Sequence, residues 1–254
     1  MTNRVILHGL THAALICLFL FAGTMAHARN VSMVTINWSP YFAENLEEGG
    51  FFTVLVREAF KAGGHDANIR FLPWKRAMNM VERTQSDVLM GAYFTEERDK
   101  QYFYSAPIFP VRLVLAANRR TGLTGYKDLR ELSSYRIAVC LGWYYGEAFE
   151  KADYLKKEPA LDQIINIRKL IGGRVDIVAG SEVVLRHEID QRRDFSMKDV
   201  TILKPDLARE ELYILTSRQL PDGKQLIEDF NRGMAIIRKN GMFDAILNRF
   251  KVSS

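Results

Sequence analysis

The chain has 254 residues, 48% of them hydrophobic and 26% charged, a balance that supports a sizeable buried core and excludes a disordered chain. Its formal net charge of +5 comes from 35 Lys and Arg scattered among 30 Asp and Glu. No basic block is interleaved with aromatics as a nucleic-acid stripe requires; the nearest candidate, Arg186 to Arg193, contains Glu188 and Asp190 and reads as a solvated helix face.

The first 28 residues predict a secretory signal peptide. Arg4 precedes an apolar run from Ala13 to Met25, and Ala26-His27-Ala28 offers an A-x-A cleavage site. The run is short for a membrane span, and no later segment is long and apolar enough to be one. Cys17 lacks the small preceding residues that a lipid-modified Cys needs. Cleavage after Ala28 leaves 226 residues, and because Arg4 is the one charged residue removed, the net charge falls from +5 to +4. His65 and His187 then remain, with Cys140 as the sole Cys, which excludes an internal disulfide and leaves no Cys/His metal spacing. No metal or cofactor is expected, and the expected location is the periplasm.

The mature chain alternates short strands with amphipathic helices, which predicts an α/β fold. Val31–Ile36 is a strand running into Asn37-Trp38-Ser39-Pro40-Tyr41. Phe51–Ala62 has helical spacing and stops at Gly63-Gly64. Asn68–Leu72 is a strand ending in Pro73-Trp74, Ala77–Arg83 a helix, and Val88–Met90 a buried strand. Thr95 reads as a helix N-cap with Glu96 and Glu97 in the positive first turn and Arg98 next, followed by an aromatic strand, Tyr102-Phe103-Tyr104, and Ser105-Ala106-Pro107. Leu113–Ala117 is a strand, and the polar run Asn118–Gly125 is the expected first crossover between lobes.

The pattern then restarts. Arg136–Leu141 is a strand whose Cys140 reads as a packed core thiol, and Gly142-Trp143-Tyr144-Tyr145-Gly146 turns into a helix. Leu161–Leu170 is a helix closed by Gly172-Gly173, Val175–Val178 a strand, and Ser181 can cap the helix Glu182–Ile189. Thr201–Leu203 is a strand, Pro205 to Arg209 the expected return crossover, and Leu212–Thr216 a strand before two terminal helices, Gly223–Lys239 and Met242–Phe250. Residues 29–117 and 209–254 are therefore expected to form one lobe, with 118–208 inserted as the second.

A strand end, a capped turn and an Arg make a suitable carboxylate socket, because guanidinium meets carboxylate through two parallel hydrogen bonds. The Thr95–Arg98 segment with Ser105-Ala106-Pro107, the run Gly172-Gly173-Arg174-Val175-Asp176 and the closing Asn240-Gly241-Met242-Phe243 resemble the bacterial extracellular solute-binding proteins of family 3, with the two-lobed periplasmic binding protein type II fold. The resemblance covers almost the whole mature chain. It implies that Arg98 grips a ligand carboxylate, that two crossover strands join the lobes, and that a membrane ABC permease takes the ligand from a monomeric carrier.

A ligand between two such lobes sits at strand ends and helix N-termini. That puts Trp38, Trp74, Tyr93, Thr95, Arg98, Trp143, Tyr144 and Ser181 at the expected cleft. Each has a blander use: the Trp residues as half-buried core, Arg98 as a surface partner of Glu96 or Asp99. The sequence departs from the family at Tyr93 and Trp143, where small hydroxyl residues are usual, and at Ser181, where amino-acid binders carry an Asp for the ligand ammonium. The expected ligand is therefore a small polar, carboxylate-bearing solute, amino-acid-like but not a standard α-amino acid, held with more aromatic contact. Two other functions fit the pattern. A ligand-sensing subunit for a membrane receptor would use the same cleft. A lyase or dehydratase would need Glu182 to act without His, since His65 and His187 lie away from the strand ends; the chain is expected not to be an enzyme.

Overall fold

The computed structural model describes residues 29–252, so the expected signal peptide lies outside the described residues. In chain order these form β1 (Asn30–Thr35), α1 (Phe51–Ala62), β2 (Asp66–Phe71), α2 (Trp74–Glu82), β3 (Val88–Ala92), α3 (Glu96–Asp99), β4 (Tyr102–Tyr104) and β5 (Phe109–Asn118). Then come β6 (Arg136–Cys140), α4 (Glu147–Glu150), β7 (Lys156–Ala160), α5 (Gln163–Ile171), β8 (Ile177–Ser181), α6 (Glu182–Asp190), β9 (Val200–Ile202), β10 (Ala208–Ser217), α7 (Gly223–Lys239) and α8 (Met242–Arg249). Among the described residues no helix is long and apolar enough to cross a membrane.

The strands run β2-β1-β3-β10-β5-β8-β6-β7 through one curled sheet, with β4 added on β10 and β9 on β5. The curl separates two lobes. In the first, β1 pairs in parallel with β2 and β3, and the second half of β10 runs antiparallel between β3 and β4. In the second, β6 lies in parallel between β7 and β8, and the second half of β5 runs antiparallel between β8 and β9. Each lobe has its own apolar core: α1 and α7 cover the first around Leu55, Phe60 and Phe230, and α5 and α6 cover one face of the second around Ile167, Val178 and Leu185.

The two segments that pass between the lobes are paired strands. Phe109–Leu113 and Ala208–Leu212 form an antiparallel ribbon in register Ala208 with Leu113 through Leu212 with Phe109. The polar run 118–125, expected to make the first crossing, instead follows β5 as a 3₁₀ turn at Arg119–Thr121 and a loop, and Val114 and Ala116 already belong to the second core. Pro110 concealed the longer strand. It sits where β5 has only β10 beside it, so its missing N–H faces an edge without a partner. β7 was not expected either: Lys-Lys-Glu-Pro-Ala has no alternation, and it forms the outermost strand, held by β6 alone.

Ser105 closes a local irregularity. The register of β10 against β3 shifts between Tyr213 and Ile214, and the Ile214 N–H donates to Ser105 Oγ at 3.1 Å while the Ser105 N–H donates to the Ile214 carbonyl at 3.0 Å. The bulge's backbone groups are thereby satisfied inside the core, where leaving one unpaired would cost about 1–3 kcal/mol.

Candidate functional site

The carboxyl ends of β1 and β3 and the N-terminus of α2 converge with the turn after β6. Trp38 follows β1 in a tight turn and stacks on Tyr41, with ring centroids 4.6 Å apart and planes at 17°. Trp74 opens α2 behind Pro73. Gly91 near the end of β3 has φ +83°, and a Cβ there would lie 2.5 Å from Phe42 Cζ, so only glycine lets the Phe42 ring close under the site. Tyr93 comes next. From the second lobe the turn after β6 brings in Trp143 and Tyr144, both half-buried. Trp38 and Trp143 face each other across the lobes.

Together with Ile36 and Arg98 these residues line one pocket. It encloses about 340 Å³, its mouth included, with walls from both lobes.

Among the described residues Arg98 is the one cation lining this pocket, and its position is built locally. Thr95 Oγ1 accepts from the Arg98 N–H at 3.1 Å, capping α3. Arg98 Nη1 donates to the Tyr93 carbonyl at 3.1 Å, and its guanidinium carbon lies 5.5 Å from the centroid of the Trp74 ring. Tyr104, whose hydroxyl donates to the same carbonyl at 3.3 Å, braces the turn. Among the described residues Arg98 makes no ion pair. Its neighbour Asp99 turns instead to Arg218 at 3.7 Å. Burial lowers the Arg98 pKa from its ordinary range, partly offset by Tyr104, Tyr102, Glu97 and Glu150. A half-desolvated guanidinium with one neutral partner has donors left to give.

Two other lining groups are also unspent. Trp38 Nε1 and the Tyr93 hydroxyl are buried without a hydrogen-bond partner, although their residues are only 5% and 9% exposed. Buried polar atoms without partners are uncommon, and here both belong to the wall of one pocket. Burial, with Tyr41 and Glu210 nearby, holds the Tyr93 phenol well above its usual range, so it acts as a neutral hydroxyl.

Six of the eight residues expected at the cleft therefore line the pocket: Trp38, Trp74, Tyr93, Arg98, Trp143 and Tyr144. Thr95 does not; it holds Arg98 by capping the helix. Ser181 does not line it either. It ends β8 before α6 but makes no capping bond, and its hydroxyl is buried with no partner. The Tyr41 phenol faces it outside hydrogen-bond geometry, and Tyr41 in turn stacks on Trp38.

The carboxylates near the site divide sharply. Glu182 is taken up by Arg112 at 2.5 Å and Arg186 at 2.7 Å. His65 is likewise engaged, 2.9 Å from Asp229 in a buried pair between the lobe-one helices. Burial pushes the Cys140 thiol up to about 12, and Tyr145, Gln163 and Asn166 surround it. Glu210 on β10 was not singled out from the sequence, because the charged run Ala208–Glu211 hid the first half of that strand. It is half-buried and has no partner among the described residues, and burial pushes its carboxyl up to about 7.

The family model of the bacterial extracellular solute-binding proteins, family 3, matches residues 32–253. The chain is similar to the arginine-binding periplasmic protein of Mannheimia haemolytica, 22% identical over 231 residues that span 89% of this chain and 92% of that protein. It is also similar to the ABC transporter arginine-binding protein 1 of Escherichia coli strain K12, 23% identical over 242 residues, 94% of this chain and 96% of that protein. Among solved structures, a histidine kinase sensor domain with similarity to periplasmic binding proteins superposes with a TM-score of 0.76 at 19% identity, covering 88% of this chain and 96% of that one.

Proposed function

The chain belongs to the bacterial extracellular solute-binding proteins, family 3, and from that premise we propose that it captures a small, polar, carboxylate-bearing solute in the interlobe pocket and hands it to a membrane ABC permease. The observation that carries this reading is the Arg98 guanidinium, fixed in an aromatic-walled pocket with no carboxylate of its own. A solute carboxylate completes it through two parallel hydrogen bonds. The pair strengthens as the lobes shut and water leaves, because the attraction between charges rises as the local dielectric falls. Trp38, Trp74, Trp143 and Tyr144 clasp the rest of the solute.

The two curated relatives, both named for arginine binding, support an amino-acid-like solute and a place in the periplasm. Delivery to a receptor would use the same pocket; the likeness to a kinase sensor domain concerns fold, and uptake is the reading that the curated relatives favour. An enzymatic role finds little support where Glu182 is doubly ion-paired and His65 is paired with Asp229.

The test is a thermal-shift screen of residues 29–254 against amino acids, polyamines, small peptides and organic acids. A solute at one hundred times its dissociation constant adds about 2.7 kcal/mol, or roughly 5–10 °C for a chain of this size. Hits confined to carboxylated solutes, and lost in Arg98→Ala, support the proposal; hits among solutes without a carboxylate, kept in that variant, overturn it.

A further inference from the structure

Glu210 stands on β10 in the stretch that pairs with β5, opposite the buried, apolar Val111. Alternation along the strand gives it the face of Leu212, a member of the core cluster that holds Trp38 and Tyr93 and packs against Trp143 and Tyr144. The turn after β6 comes down onto this strand. Gly146 has φ +97°, and a Cβ there would lie 2.7 Å from the Ala208 Cβ and 3.9 Å from Glu210 Oε1. The carboxylate therefore rests against the same turn that presents Trp143 and Tyr144 to the pocket, and its charge is felt at the phenols of Tyr93 and Tyr144.

Among the described residues no cation answers it. Among the described residues Glu210 accepts no hydrogen bond and forms no ion pair. The basic side chains beside it are committed: Arg112 to Glu182 and Asp206, and Arg209 to Asp206 at 3.6 Å. Glu211, the next carboxylate, belongs to the other face of the strand and feels Arg238. The groups that face Glu210 from packed elements are the phenols of Tyr93 and Tyr144, while Tyr213 on its own strand lies on the face of Glu211; burial raises all three, so they stay neutral below pH 8. Around Tyr144, Glu147 and Glu150 of α4 add negative charge and Arg98 adds positive charge. A half-buried carboxylate without a cationic partner pays for its charge in lost hydration, and a cation brought from outside offsets that cost.

We propose that Glu210 receives a cationic group of the solute, so that the pocket, with an unpaired guanidinium and an unpaired carboxylate beside the same aromatic walls, selects solutes that carry positive charge as well as a carboxylate. This rests on the carboxylate-capturing role of Arg98. The unpartnered Tyr93 hydroxyl and Trp38 Nε1 supply neutral polar contacts in the same pocket. Because the empty site keeps Glu210 protonated below about 7, a cation binds with release of that proton, and affinity falls roughly tenfold per pH unit below that point.

The experiment is isothermal titration of wild type, Glu210→Gln and Arg98→Ala with L-arginine, agmatine and pentanoate at pH 6 and pH 8. These probes carry both charges, cationic charge alone and carboxylate alone. Wild type is expected to bind L-arginine about tenfold more tightly at pH 8 than at pH 6. Glu210→Gln should weaken L-arginine at least tenfold at pH 8, abolish the pH dependence and bind pentanoate no more weakly than wild type does, with Glu210→Asp restoring part of the loss. L-Arginine affinity within twofold of wild type in Glu210→Gln overturns the inference, as does wild type that binds neither cationic probe at pH 8. If Arg98→Ala leaves L-arginine untouched while Glu210→Gln weakens agmatine, the carboxylate role of Arg98 falls and the cation role of Glu210 stands.

Discussion

Trp38 and Trp143 meet edge to face between the lobes, with ring centroids 6.1 Å apart and planes at 85°. The contact joins a residue of the outer segments to one of the inserted segment and shuts the pocket without a polar group. Trp143→Ala removes part of the second lobe's wall and leaves Tyr144. It is expected to weaken solute binding by about 1–3 kcal/mol and to reorder the preference among solutes. Titration of a solute panel against both proteins measures this; an unchanged ranking would mean that Trp143 only packs.

Arg98→Ala is expected to lower affinity for a carboxylated solute by about 2–4 kcal/mol. The fold should hold, because no ion pair within the protein is broken, and the melting temperature should stay within roughly 3 °C of wild type. Arg98→Lys keeps a charge but loses the planar fork, so its affinity should fall between the two. Equal affinities in all three proteins would remove Arg98 from the site.

Thr95 contributes through Arg98. Thr95→Ala deletes the cap of α3 and is expected to cost about 1 kcal/mol of stability, seen as a drop of roughly 2–4 °C on melting. Affinity should fall less than in Arg98→Ala, and Thr95→Ser should restore both quantities. A large affinity loss without a stability loss would mean that the hydroxyl touches the solute.

Glu210 also ties stability to pH. Burial raises its pKa from an ordinary 4.5 to about 7 in the folded chain. Between those values the folded state binds the extra proton, so stability is favoured at low pH and declines as pH rises through the window. Glu210→Gln is neutral throughout. It should melt higher than wild type at pH 8 and together with it near pH 4, in the absence of solute. The same difference at both pH values would locate the effect in packing rather than in charge.

Where side-chain pattern and backbone agreed, the fold was legible in the sequence. α1 and α7 begin and end where periodicity and flanking glycines put them, and Thr95 caps α3 as its hydroxyl and the following Glu pair suggested. The aromatic lining was legible because strand ends face the cleft in a two-lobed α/β fold. The misses have two physical sources. β7 and the first half of β10 are stabilised by main-chain pairing more than by an apolar face, so Lys156–Ala160 and Ala208–Glu211 carry no periodic signal, whereas the first half of β5 does alternate, with Phe109, Val111 and Leu113 buried in the core, and Pro110 masked it. Glu210 was lost for the first of these reasons. Ser181 differs in another way: it ends β8 where the sequence put it but does not line the pocket, and Tyr41, unremarkable in sequence, lies beside it and stacks on Trp38.

The ribbon of β5 and β10 reaches into both lobes without a break. β10 is an interior strand of the first lobe, flanked by β3 and β4, and β5 is an interior strand of the second, flanked by β8 and β9. Neither lobe can lose its central strand without pulling on the partner strand that organises the other. Two separate cores are thereby welded into one cooperative unit, and calorimetry of the solute-free protein should trace a single endotherm in which van 't Hoff and calorimetric enthalpies agree.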